Sequence, residues 1–171
     1  MDREEMEQYL REVGAELATR SLVGEIVLVG GAFMTLVLRT REATRDVDAY
    51  LDPATAPAIR EAAATVAARH GLAPDWLNDG VKGFFATSPS TVLWAELPGL
   101  RVNAVTAEYM FAMKAVAGRP QDEIDLRALA AHLGIGSSRS TLDIVSAHFP
   151  ERLLTPRVRY LLEDLFEDGV E

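Results

Sequence analysis

Two short stretches decide the fold: Glu25-Ile26-Val27-Leu28-Val29-Gly30-Gly31 and, after the polar connection 39–45, Asp46-Val47-Asp48-Ala49-Tyr50-Leu51. The first opens with a β-branched run suited to a buried strand, which Gly30-Gly31 breaks. Ala32 to Leu38 then reads as a short apolar helix. The second stretch alternates polar and apolar residues, the pattern of a strand with one buried face. The unit is strand, glycine pair, helix, strand.

Outward from this unit, residues 3–20 read as an amphipathic helix, with Met6, Tyr9, Leu10, Val13 and Leu17 on one face and Asp2 with Glu5 as a capping box. Pro53 opens an Ala-rich helix that ends at His70-Gly71, and residues 72–90 are irregular. Thr91–Leu97 and Leu100–Val105 form a hairpin around Pro98-Gly99. From the N-cap Thr106 onward the chain is helical, near 107–117, 121–133, 138–148 and 156–167. The expected fold is α+β: a small mixed sheet with flanking helices over residues 1–105, about four strands in all. A C-terminal helical subdomain, 106–171, packs on that core.

The chain has 171 residues, 49% hydrophobic, with a formal net charge of −9 and no cysteine. That suits a folded globular chain and excludes a disulfide scaffold, thiolate zinc and a cysteine nucleophile. An acidic start and an apolar run too short to span a bilayer point to a cytoplasmic protein without a membrane partner. The acidic balance argues against a broad nucleic-acid surface. Of 17 basic residues only Lys82 and Lys114 are lysines.

On a strand, Asp46 and Asp48 project to the same face. Two carboxylates so close repel unless a cation lies between them, and hard oxygen ligands suit Mg²⁺ or Mn²⁺ with substrate phosphates completing the shell. Gly30-Gly31, at the end of a strand and the start of a helix, lets backbone N–H groups approach phosphate oxygens. Arg39 closes the following helix and can reach back, and Arg45 precedes the aspartates. Lys82 on a Gly-flanked loop permits a phosphate contact, beside Trp76, Asn78 and Asp79. Trp76 reads as a core plug more readily than as a base-stacking ring. Lys114 lies among Tyr109, Met110, Phe111, Met113 and Val116; it either snorkels outward or points into a pocket. Asp122 and Asp125 share a helix face, compensating the helix dipole or orienting Lys114, Arg119 or a metal-bound water. His70, His132 and His148 read as capping or packing residues.

Gly30-Gly31, the arginine-containing connection and Asp46-x-Asp48 resemble the hallmark of the nucleotidyltransferase superfamily. More narrowly, they are similar to the small bacterial enzymes related to the abortive-infection toxin AbiEii and to the minimal nucleotidyltransferases. Met113-Lys114 through Arg119 to Asp122-x-x-Asp125 is similar to the same family's later motif. The resemblance covers roughly residues 25–130. It implies a metal-dependent enzyme: Gly30 and Gly31 hold an NTP, Asp46 and Asp48 bind the metal, and Lys114 and Asp122 assist. A nucleoside monophosphate would pass to an RNA 3′ end or a protein hydroxyl. It also implies a toxin or defence setting with an antitoxin partner.

One departure stands out. Such enzymes often add a third carboxylate on a later strand, where 100–105 offers only Asn103, and Glu96 is the nearest substitute. The rival expectation is a nucleotide-binding or antitoxin-like interaction protein without turnover. A third is a structural interaction protein using its C-terminal helices.

Overall fold

The computed structural model describes residues 1–80 and 89–166; Lys82, a candidate phosphate contact, lies outside the described residues. The fold is α+β and divides into two compact units, Met1–Val105 and Thr106–Glu171.

The first unit opens with helix α1 (Arg3–Thr19), whose Asp2 carboxylate accepts from the Glu5 amide while Glu5 reaches back to the Asp2 N–H. Its apolar stripe is that read from the sequence: Met6, Leu10, Val13 and Leu17 are fully buried and Tyr9 nearly so. Strand β1 (Gly24–Leu28) follows, then one α-turn, α2 (Gly30–Ala32), continued by a π-helical turn, Phe33–Val37. The expected short helix is therefore present, but its second half is widened into π register. Strand β2 (Val47–Leu51) begins one residue later than expected, so Asp46 stands at its mouth. Helix α3 (Ala56–His70) starts three residues past Pro53, because the Asp52 carbonyl accepts from both Thr55 and Ala56.

The sheet order is β3-β2-β1-β5-β4, with β3 at Leu77–Asn78, β4 at Thr91–Leu97 and β5 at Leu100–Val105. β1 runs parallel to β5 and antiparallel to β2; β4 and β5 form the expected hairpin. The fifth strand, β3, falls in the stretch expected to be irregular. Two residues carry no alternation, and the pairing is fixed from outside. Trp76, 2% exposed, donates its indole N–H to the Ala63 carbonyl at 3.0 Å, and its own carbonyl accepts from Val47 at 2.6 Å. The core-plug reading of Trp76 holds, and a ring so buried has no face left for a base.

Register assigns the two faces of the sheet. Ile26, Leu28, Ala49, Leu51, Val102 and Ala104 are buried on one side, where α1 packs on β5 and α3 on β1. The other side carries Asp48, Tyr50, Val27, Glu25, Asn103 and Arg101. Sheet alternation thus delivers apolar side chains to the helices and polar ones to the opposite face.

The second unit consists of α4 (Ala107–Ala117), α5 (Glu123–Leu133), α6 (Ser138–His148) and α7 (Pro156–Leu165), with α4 touching the other three. Thr106, Ser137 and Thr155 cap three helix starts, and Gly118 and Gly134 close two ends in the left-handed conformation. No helix among the described residues is long and apolar enough to cross a membrane.

Candidate functional site

In the first unit the two sequence motifs meet. Gly30 takes φ +58°, a conformation that costs any side chain with a Cβ, and it does so directly beside Asp48. A Cβ on Gly30 would lie 2.7 Å from Asp48 Oδ2. The backbone joins them too, since the Val29 N–H donates to the Asp48 carbonyl at 3.1 Å. Glycine is therefore required twice, for its φ and for the carboxylate pressed against it. Asp48, Tyr50 and, across the β2–β3 pairing, Asn78 are half-buried on one face; Asp46, half-buried, sits just ahead of the strand.

Two residues that sequence reasoning did not single out stand against Gly31. A Cβ there would overlap Thr44 Oγ1, and Arg41 Nη1 is 3.8 Å away. Their position comes from long-range pinning of the connection. Met1 N donates to the Thr44 carbonyl at 2.8 Å, the Thr44 amide donates back to Met1 at 2.9 Å, and Asp2 bridges Ala43. Nothing local in 39–45 encodes this, so no signal in that stretch distinguishes Arg41 from Arg39 or Arg45. Arg39 is exposed with φ +58°, ending the π-helical turn, and makes no hydrogen bond or ion pair among the described residues. Arg45 is also exposed.

Glu96 does not replace a third carboxylate. It pairs with Arg101, which is opposite Glu25, whereas Asp48 is opposite Val29. Four residues of strand and three strand spacings separate them, about 13 Å along the sheet and about 14 Å across it. Glu96 instead holds Arg101 at 3.1 Å. Asn103 donates to Glu25 at 3.0 Å, so the residue at the third-carboxylate strand is itself engaged in a sheet-face pair.

The β2 end offers two half-buried carboxylates, Asp46 and Asp48, as donors of the kind a hard divalent cation takes. Among the described residues no three His, Cys, Asp or Glu side chains group to hold a metal. An ion there would take the Asp46 and Asp48 carboxylates and draw its other ligands from phosphate and water, the habit of Mg²⁺.

In the second unit Lys114 is 7% exposed and lies between two carboxylates, 2.6 Å from Asp122 Oδ1 and 2.7 Å from Asp125 Oδ2. This rules out snorkelling. It also replaces the expected phosphate pocket with a closed cluster of one cation and two anions. The helix logic is simple: Lys114 is in the last turn of α4, and Asp122 and Asp125 open α5, so each charge also opposes its own helix dipole. The cluster staples the two helices across Gly118, whose carbonyl accepts from Arg157 at 2.7 Å. A groove of about 610 Å³ beside that turn is lined by Glu123, Glu163, Asp164, Tyr160 and a single cation, Arg157, whose guanidinium already donates to the Gly118 carbonyl. Three carboxylates against one arginine leave the groove net acidic, which disfavours a triphosphate.

His70 and His148 pack against aromatic rings, whereas His132 is exposed in the last turn of α5; His70 does more. Its Nε2 is 2.9 Å from both Glu12 oxygens, and its ring is 4.8 Å from that of Tyr9. His148 packs edge-on to Tyr109. Comparison with protein-family models, with curated proteins and with solved structures finds no match to this chain.

Proposed function

We propose that the chain is a metal-dependent nucleotidyltransferase whose site lies at the Gly30–Asp48 corner of the first unit. The observation that carries this reading is the contact between the left-handed Gly30 and the Asp48 carboxylate, which joins two motifs eighteen residues apart in one place. The triphosphate of an NTP would lie along the Gly30-Gly31 backbone, where amides at the start of α2 can donate to its oxygens. Arg41 supplies positive charge beside Gly31, and Thr44 walls the turn. Asp46 and Asp48 would hold Mg²⁺ or Mn²⁺, which when bound neutralises charge developing on the phosphates. Most of the rate would come from positioning and electrostatics, as in phosphoryl transfer generally. Lys114 and Asp122 serve this reading only as parts of a helix staple. The acceptor, an RNA 3′ end or a protein hydroxyl, and a toxin setting with an antitoxin rest on the sequence resemblance.

A second reading, nucleotide binding without turnover, is favoured by one observation: neither Glu96 nor Asn103 supplies a third carboxylate at the corner. Labelled NTP with Mg²⁺, incubated with RNA and with protein acceptors, separates the two. Label transferred by wild type and lost in Asp46→Ala/Asp48→Ala supports the enzyme. Metal-dependent binding of NTP without any transfer selects the second reading.

A further inference from the structure

Three irregularities fall within ten residues behind the candidate site. The turn Phe33–Val37 is π-helical, closed by a Leu38 N–H donating to the Phe33 carbonyl at 3.1 Å. It is bounded by left-handed residues, Gly30 and Arg39, both at φ +58°, and Arg39 has a Cβ to strain. In its middle, Thr35 is 2% exposed and its hydroxyl has no hydrogen-bond partner among the described residues. A buried, unpaired hydroxyl lowers the stability of the fold, and valine would fill the same space without that penalty. π-helical turns cluster at functional sites, and sequences break local rules mainly where function requires it.

Threonine in an α-helix commonly donates its hydroxyl to the carbonyl three or four residues earlier. For Thr35 those are Ala32 and Gly31. In the widened turn the bond is not made; in α register it would form, and the Gly31 peptide would be fixed from behind. We infer that Thr35 is a positioning residue for the glycine turn. An oxyanion bound at Gly30-Gly31 draws Phe33–Val37 from π into α register, and the Thr35 hydroxyl closes on the Gly31 carbonyl. The ligand class is a polyphosphate chain, and the inference rests on the nucleotide reading of the corner. The hydroxyl then stabilises the bound state alone, which explains why the free chain keeps it unpaired.

The test compares wild type, Thr35→Val and Thr35→Ser with Mg²⁺-tripolyphosphate as the probe. Thr35→Val raises the ligand-free Tm by about 3–5 °C and weakens calorimetric binding about tenfold. Thr35→Ser binds like wild type. Hydrogen exchange at Val37 and Leu38 slows on binding in wild type and serine variants but not in the valine variant, a change that simple packing would not produce. If wild type binds and Thr35→Val binds as tightly, this inference alone is overturned. If Thr35→Val leaves the ligand-free Tm unchanged or lowered, the hydroxyl is already satisfied and the inference also falls. If wild type binds neither tripolyphosphate nor NTP, the nucleotide reading and the inference fall together.

Discussion

The chain contains two close pairs of aspartates, and their surroundings differ in kind. Asp122 and Asp125 are buried within one helix-turn-helix and share a lysine; their charge is answered inside the second unit. Asp46 and Asp48 are half-buried at the start of a strand, and Asp48 faces a glycine backbone whose N–H groups suit an anion. A pair closed around its own cation builds structure. A half-buried pair beside a glycine turn is where the proposed ligand would meet the protein. Spacing alone does not distinguish them, since both look like metal or catalytic motifs in the sequence.

The comparison breaks most sharply at Asp48. Asp48→Ala is expected to lower nucleotidyl transfer at least about 10³-fold, the scale of removing a major electrostatic contact, with a Tm close to wild type. A large loss of Tm with no separate loss of transfer would make the corner structural. Lys114→Ala should act the other way, destabilising the second unit by about 3–5 kcal/mol because two buried carboxylates lose their cation. The triple change Lys114→Met, Asp122→Asn, Asp125→Asn removes all three charges and should recover most of that stability. If the triple variant folds yet has lost transfer, Lys114 acts on phosphate and the staple reading fails.

How much of this was legible follows from range. The helices of the second unit were readable because caps and closing glycines are local: Thr106, Gly118, Ser137 and Thr155 mark ends that the structure reproduces within a few residues. The lysine cluster was readable in outline, since Asp122 and Asp125 follow Lys114 by eight and eleven residues across one turn. Strand β3 was not, because its pairing depends on Trp76 reaching Ala63 in α3. The π-helical turn was not, because Ala32–Leu38 has an ordinary apolar helical composition with no local mark of a widened turn. Arg41 and Thr44 were invisible too, because the connection that carries them is pinned by contacts of Met1 with Thr44 and Asp2 with Ala43, the first 43 positions apart.

A smaller effect sharpens the first half of the comparison. Gly30→Ala combines a left-handed φ with a Cβ pressed on Asp48, so about 1–2 kcal/mol of stability is lost. If the corner binds NTP, the displaced carboxylate should also weaken metal-dependent binding. Gly71→Ala, also left-handed but with open space around it, serves as the control: it carries the φ cost alone and leaves binding intact. Equal binding by both variants would detach Gly30 from the ligand.

The smallest expected effect concerns a carboxylate that neither pair contains. Glu12 on α1 accepts hydrogen bonds from His70, then Arg69, then Gln8, which lower its pKa from 4.5 to about 2. The folded state thus binds a proton at Glu12 less readily than the unfolded chain does. Stability from this group is full above pH 4.5 and drains away as pH falls toward about 2. Solvent reaches the cluster and screens it, so Glu12→Gln should cost only about 1 kcal/mol at neutral pH. The difference between variant and wild type should shrink steadily on acidification and vanish near the bottom of that range. A difference that stays constant with pH would mean Glu12 contributes shape rather than charge to the α1–α3 contact. The unit would then owe that contact to the Tyr9–Trp76–His70 packing beneath it.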